Sequence, residues 1–178
     1  VRVAIVIVSI QCIAVLTFIG VERLRKDRHR SPARVERLAP GRTAPDVVLE
    51  RMDGGERRVS DFRGTRVLLH FWATWCAPCR EELPLLLELG RDRSPDLEVL
   101  AISLDEDWTP VREFFHGEIP REIVRDPRRD APRAYEVSSL PDSYLVERDG
   151  TLALRIFGAT DWSDPAVRDV LAPVRAVQ

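Results

Sequence analysis

Cys76 and Cys79 stand in a C-x-x-C spacing, and a third cysteine, Cys12, lies apart in an apolar run. A disulfide between two residues so close in sequence constrains too little chain to staple a fold. The spacing suits a redox pair or half of a metal site. A structural zinc site needs about four ligands. Beyond this pair the sequence has no second C-x-x-C and only His29, His70 and His116, so the redox reading prevails. No metal and no cofactor is expected other than the Cys76–Cys79 disulfide itself. The thiolate is the nucleophile in such chemistry, and a free cysteine has a pKa of about 8.5. Placing the pair where a helix begins favours the anion, because the N-terminal backbone N–H groups and the helix dipole face it. The i, i+3 spacing sets both sulfurs on one side of the first turn, and Pro78, lacking an N–H, costs little there. Cys76 is assigned as the exposed attacking thiol and Cys79 as the buried resolving thiol. Attack on a substrate disulfide gives a mixed disulfide through Cys76, which Cys79 then resolves.

The flanking pattern supplies the elements that must hold this pair. Val67 to Ala73 is a nearly continuous apolar run, the signature of a strand buried on both faces. Glu81 to Arg91 has helical spacing in Leu83, Leu86, Leu87 and Gly90, with Pro84 expected to kink it. Leu97 to Leu104 reads as a second buried strand. Earlier, Asp46 to Glu50 and Arg57 to Ser60 read as a hairpin around the Asp53-Gly54-Gly55 turn. Later, Pro110 to His116 reads as a helix capped by Thr109, and Asp130 to Tyr135 as another. Ser143 to Glu147 and Leu152 to Phe157 form a hairpin about Asp149-Gly150, and a final helix runs from Pro165 to about Arg175. Alternation of this kind predicts an α/β fold, a mixed central sheet with helices on both faces and an N-terminal β-hairpin extension.

The stretch Phe71-Trp72-Ala73-Thr74-Trp75-Cys76-Ala77-Pro78-Cys79-Arg80-Glu81-Glu82-Leu83-Pro84 resembles the active-site segment of the thioredoxin-like TlpA/ResA group of membrane-tethered thiol–disulfide oxidoreductases. The likeness runs from about Ala39 to the C-terminus and includes Gly41-x-x-Ala44-Pro45-Asp46, Asp61-Phe62-Arg63-Gly64 and Leu140-Pro141. It implies a thioredoxin fold and a cis-proline at Pro141, which sets the Leu140 backbone beside the cysteine pair to bind substrate. It also implies an acid, Glu82, near the buried sulfur. A partly buried carboxylate is a plausible proton acceptor for Cys79 because burial raises its affinity for protons. Trp75, Ala77 and Pro78 are expected to contribute contact surface, and Trp72 to lie in the core. The sequence departs from the group around the cis-proline, where Ser138-Ser139-Leu140-Pro141-Asp142-Ser143-Tyr144 stands. Asp142 there is expected to place a negative charge near the substrate groove.

The resemblance further implies a reductant of particular extracytoplasmic proteins, such as apocytochrome c before haem attachment, fed by a membrane thiol electron donor. A disulfide-forming oxidant or isomerase is the alternative, with copper-site assembly or metal delivery behind it. A peroxiredoxin would need Thr or Ser three residues before its reactive cysteine, where Ala73 precedes Cys76.

The 178 residues carry a net charge of −2, which gives no reason to expect a nucleic-acid partner. Lys26 is the only lysine, and the arginines are scattered among acids. Val3 to Val21 is apolar apart from Ser9, Gln11, Thr17 and Gly20, just long enough to span a bilayer. Residues 1–21 are therefore expected to be a single transmembrane anchor or uncleaved signal, residues 22–39 a charged linker, and residues 40–178 the thioredoxin-like domain. Charge and resemblance conflict on orientation. Basic residues crowd the flank after the apolar run, which by charge alone favours a cytoplasmic domain, whereas the resemblance implies an extracytoplasmic one.

Overall fold

The computed structural model describes residues 34–172, so the expected anchor lies outside the described residues, and the final helix ends at Val170, short of the expected Arg175. Eight strands form one mixed sheet in the order β1-β8-β7-β4-β5-β6-β2-β3. They are β1 (Arg34–Arg37), β2 (Val48–Arg51), β3 (Glu56–Arg58), β4 (Arg66–Trp72), β5 (Leu97–Ser103), β6 (Ile123–Arg125), β7 (Asp142–Val146) and β8 (Leu152–Phe157). Four helices accompany them: α1 (Ala77–Arg93), α2 (Trp108–Phe114), α3 (Asp130–Ala134) and α4 (Pro165–Val170). β4, β5 and β6 run parallel, β7 pairs antiparallel with β4, and β8 pairs antiparallel with β7. The β2–β3 hairpin adds to the far edge through β6, as the sequence predicts for an N-terminal extension.

All seven residues of β4 are buried, and five of its residues are Val, Leu, Phe or Trp. Such a strand satisfies its backbone groups only between two partners, and β5 and β7 supply them on either side. Its apolar side chains join Leu83, Leu86 and Leu89 of α1 in the core. On β4 and β7, Phe71 and Tyr144 pack with Tyr135 as an aromatic cluster. The Tyr135 hydroxyl donates to the Pro45 carbonyl at 2.8 Å.

Several local expectations are corrected. Arg34–Arg37 falls in the stretch read as a linker, yet pairs with β8 from Phe157 to Leu154. Its four side chains are exposed, so no apolar period marks it. The hairpin's return strand ends at Arg58, and Val59–Phe62 turns as a 3-10 helix in which Asp61 accepts the Arg58 N–H. The cap of α2 is Asp107, whose carboxylate accepts the Thr109 N–H at 2.6 Å. Both residue types cap helices, and the earlier one starts this helix. β6, only three residues long, has no period for a sequence to display.

α1 begins four residues before the expected start and runs through Pro84 to Arg93. Cys76 serves as its cap, Arg91 and Arg93 complement the dipole at its other end, and Ser94 precedes Pro95 in a cis peptide. Its buried face includes Cys79, Glu82, Leu83, Leu86 and Gly90. A Cβ at Gly90 would sit 2.7 Å from Val99 Cγ2 on β5, so glycine sets how closely helix and sheet approach. We predict that Gly90→Ala destabilises the fold by about 1 kcal/mol net. Overpacking costs about 1–3 kcal/mol, against about 0.5–1 kcal/mol gained by replacing a helical glycine. Urea unfolding checks this, and the loss should shrink in a Val99→Ala background.

Candidate active site

The chain leaves β4 through Ala73, Thr74 and Trp75 and enters α1 at Cys76. Thr74 is anchored to Asp105 just beyond β5, donating its N–H to Oδ2 at 3.0 Å and its hydroxyl to Oδ1 at 2.7 Å. Ser103 donates to the same carboxylate at 2.7 Å. The Cys76 N–H donates to the Ala73 carbonyl at 3.1 Å. These bonds hold the approach to the cysteine pair in one conformation.

Cys76 and Cys79 are joined by a disulfide. Cys79 is fully buried and Cys76 is 7 % exposed, whereas Trp75, Ala77 and Pro78 beside them are exposed. The Cys79 N–H donates to the Cys76 sulfur at 3.4 Å. Trp75, which packing might have buried, is 66 % exposed, while Trp72 lies in the core as expected. An open groove of about 550 Å³ passes over Cys76, with Trp75, Pro78 and Leu140 in its walls together with Leu104, Arg129 and Ser139.

The Leu140–Pro141 peptide is cis, as the resemblance implied. Pro141 is buried and its carbonyl accepts the Gly158 N–H at 3.0 Å. Among the described residues, neither the N–H nor the carbonyl of half-buried Leu140 has a hydrogen-bond partner. That leaves backbone groups beside the disulfide for an extended segment to pair with.

Asp142 corrects an expectation. It is 1 % exposed, and Arg155 donates to it from Nε at 3.1 Å and from Nη2 at 2.7 Å. Burial, the largest influence, raises its carboxyl pKa, against the opposing pull of Arg155. It therefore offers no free negative charge to a substrate. Strand alternation hides it: Asp142 and Tyr144 share one face of β7 while Ser143 points to the other.

Glu82 is also buried, 2 % exposed, and its Oε2 accepts the Thr160 N–H. Three residues after Cys79, it shares the buried face of α1 with that sulfur. Beneath it lies a residue the sequence reading left without a role. His70 on β4 is fully buried, with Nε2 3.5 Å from Glu82 Oε1 and Nδ1 2.9 Å from Ser143 Oγ. A histidine inside an apolar run was the visible signal, since a buried polar side chain is informative where a buried leucine is not. Asp105 and Thr160 gave no such signal, because their partners are distant in sequence.

A disulfide capping a helix after a buried strand, with a cis-proline loop alongside, is the site of a thiol–disulfide oxidoreductase on a thioredoxin-like α/β fold. The comparisons with known proteins agree with that class. The AhpC/TSA family model matches residues 40–155. The thiol-disulfide oxidoreductase ResA of Geobacillus kaustophilus is 37% identical over 131 residues, covering 71% of this chain and 74% of that protein. The ResA of Bacillus subtilis is 32% identical, covering 69% and 70% respectively. A solved structure assigned as thiol:disulfide interchange protein DsbE from Chlorobium tepidum superposes with a TM-score of 0.64 at 32% identity, covering 75% of this chain and 93% of that one. The chain belongs to the AhpC/TSA family and, within it, to the ResA thiol–disulfide oxidoreductases.

The burial of His70 has a consequence for stability. Desolvation lowers its pKa from 6.5 to about 3. Below the unfolded value, the unfolded chain takes up a proton that the folded chain refuses until about pH 3, so acidification favours unfolding. The contribution of His70 is fully present above pH 6.5 and is lost progressively as pH falls toward 3. We predict that it adds up to about 1.4 kcal/mol per pH unit to the loss of unfolding free energy across that window. Urea unfolding at a series of pH values measures the slope, which should be shallower in His70→Asn.

Proposed function

We propose that this oxidoreductase works as a reductant, with Cys76 as the attacking thiol and Cys79 as the resolving thiol. The observation that carries the assignment is the asymmetry of the pair: the groove runs over Cys76, and Cys79 is fully buried. In the reduced protein Cys76 attacks a substrate disulfide and forms a mixed disulfide, while one substrate sulfur departs. Cys79 then attacks the Cys76 sulfur, the second substrate sulfur leaves, and the protein's disulfide re-forms. Two electrons pass from the pair to the substrate. In this reading Glu82 accepts the Cys79 proton. Leu140, presented by cis-Pro141, pairs with substrate backbone, and Trp75, Ala77 and Pro78 give the contact surface.

Support for the reducing direction comes from the surroundings of Cys76. Strong oxidants of this chemistry owe their potential to a stabilised reduced form. Here the spacers Ala77 and Pro78 add no donor side chain. The hydrogen bond received by the Cys76 sulfur among the described residues is the one from the Cys79 N–H.

The substrates in this proposal are specific extracytoplasmic proteins whose cysteines must stay reduced, such as apocytochrome c before haem attachment. Residues 1–21 hold the domain to the bacterial cytoplasmic membrane, where a membrane thiol carrier supplies electrons. The apolar run from Val3 to Val21 supports the anchor. Among the described residues no helix is long and apolar enough to cross a membrane.

The reduction potential of the full chain, equilibrated against thiol redox buffers, tests the direction. A value near the thioredoxin end, about −270 mV or lower, is expected; a value near about −120 mV would replace this reading with disulfide formation. The assignment of roles predicts that Cys79→Ser accumulates mixed disulfides through Cys76 and that Cys76→Ser accumulates none, read on non-reducing gels after alkylation.

A further inference from the structure

Four polar groups from separate parts of the chain meet under the cysteine pair. They are His70 from β4, Glu82 from α1, Ser143 from β7 and the Thr160 N–H from the segment after β8. His70 is fully buried, Glu82 and Ser143 are each 2 % exposed, and Thr160 is 3 % exposed. Burying polar groups is costly unless they are satisfied by one another, and disulfide exchange as described above assigns nothing to the imidazole.

The contacts select one tautomer. A neutral imidazole carries a single N–H, and desolvation keeps this one neutral over the working range of pH. If that proton sat on Nδ1 it would point at Ser143, and the lone pair of Nε2 would face the Glu82 carboxylate. With the proton on Nε2, the ring donates toward Glu82 Oε1, and Ser143, which can donate or accept, donates its hydroxyl to Nδ1. Only the second arrangement turns an N–H rather than a lone pair toward an ionised Glu82: Nδ1 is hydrogen-bonded to Ser143, and Nε2 faces Glu82 Oε1 across 3.5 Å. Thr160 occupies Oε2, so His70 addresses the other oxygen. Edge-on packing against Trp162, with ring centroids 6.1 Å apart, holds the plane of the ring.

We propose that His70 is a positioning residue for disulfide exchange, fixed by Ser143 and aiming its Nε2–H at Glu82 so that this carboxylate stays ionised and placed to take the proton of Cys79. The inference rests on the reading of Glu82 as that acceptor. In the resolving step the Cys79 S–H proton passes to the Glu82 carboxylate. The Cys79 sulfur bonds to the Cys76 sulfur, the bond from Cys76 to the substrate breaks, and the substrate thiolate leaves and takes a proton from water. Donors to a carboxylate favour its charged form, so removing the imidazole N–H leaves Glu82 protonated to higher pH and unable to act as base there.

The groups that face His70 limit what else would move such a profile. α1 brings Glu82 to 3.5 Å from it, β5 presents Ala101 beside it, and β7 presents Ser143. The segment after β8 brings Thr160 and Trp162, with half-buried Asp161 between them in sequence and Arg168 of α4 donating to the Trp162 carbonyl at 3.2 Å.

The test follows the decay of the Cys76–glutathione mixed disulfide after mixing the reduced full chain with oxidised glutathione, at a series of pH values within the folded range. Asparagine places an amide where Nδ1 stands, keeping a partner for Ser143 and losing the group that faces Glu82. Glutamine reaches the Nε2 position. His70→Asn is expected to move the acid limb of the resolving step upward by about one pH unit, a tenfold slowing below it, as the carboxylate loses the N–H that faces it. His70→Gln is expected to restore the wild-type limb. The first attack by Cys76, measured in a Cys79→Ser background, should not change. A merely structural role would lower the stability of both variants and leave the limb in place, and a folded His70→Asn with the wild-type limb overturns the proposal. Should neither His70 variant fold, Ser143→Ala is read instead: release of Nδ1 should shift the limb in the same direction, and an unshifted limb overturns the proposal. Glu82→Gln separates the two readings. If it abolishes the limb while His70→Asn leaves it unchanged, the His70 inference alone fails; if Glu82→Gln leaves the limb in place, the acceptor reading fails and the inference falls with it.

Discussion

Because every residue of β4 is buried, its backbone groups have no water to turn to and must be met by β5 on one side and β7 on the other. That pairing fixes more than the strand. Trp72 lies opposite Ser103 of β5, and Phe71 opposite Asp142 of β7. The end of β4 that delivers Cys76 is therefore flanked by the carboxylate of Asp105 on one side and the Leu140–Pro141 bend on the other. The groove, the clamp on Thr74 and the cis-proline loop are consequences of a single register. A slip of one residue would turn His70 to the face now held by Phe71, separating the imidazole from Glu82 and driving a phenyl ring under the disulfide.

The same pairing sorts the buried charges. On one face of β7, Asp142 is matched by two donors from Arg155, which also stacks over Tyr144 with its guanidinium 5.3 Å from the ring centroid. On the other face Ser143 meets a histidine that desolvation keeps neutral. A buried ion pair tolerates low dielectric only with good geometry and full hydrogen bonding, and the Asp142–Arg155 fork provides both. Beneath the disulfide the polar groups include dipoles that face one another: an imidazole, a hydroxyl and a backbone N–H.

What was legible in the sequence follows from the same physics. β4 and β5 announced themselves because strands covered on both faces are apolar throughout. β8 was placed from Leu152 to Phe157 because its alternation is regular and Asp149-Gly150 marks the turn before it. The cysteine pair was legible because its chemistry demands a spacing and a helix start. Asp107 was overlooked as a cap because Thr109, two residues later, is an equally good candidate when read locally. β1 could not be seen: its four exposed side chains carry no apolar period, and it is a strand only because β8 offers a free edge. The charge of Asp142 was misjudged for a related reason. Its neutralising partner, Arg155, lies across a hairpin, and the pairing that brings the two together is a tertiary fact.

The site has two sides that the fold keeps apart. The groove over Cys76 has walls from the start of α1, the end of β5 and the segments around Arg129 and Leu140. The buried polar cluster around His70 lies beneath, built from β4, the buried face of α1, β7 and the segment after β8. The cysteine pair, Leu104 and the Leu140–Pro141 bend belong to the first while touching elements of the second. Exposed groove residues such as Trp75, Ser139 and Arg129 can therefore change without touching the buried polar groups around His70. The groove and the buried polar cluster are thus built largely from different residues, and the disulfide, capping a helix at the end of a strand buried throughout, is the point where they join.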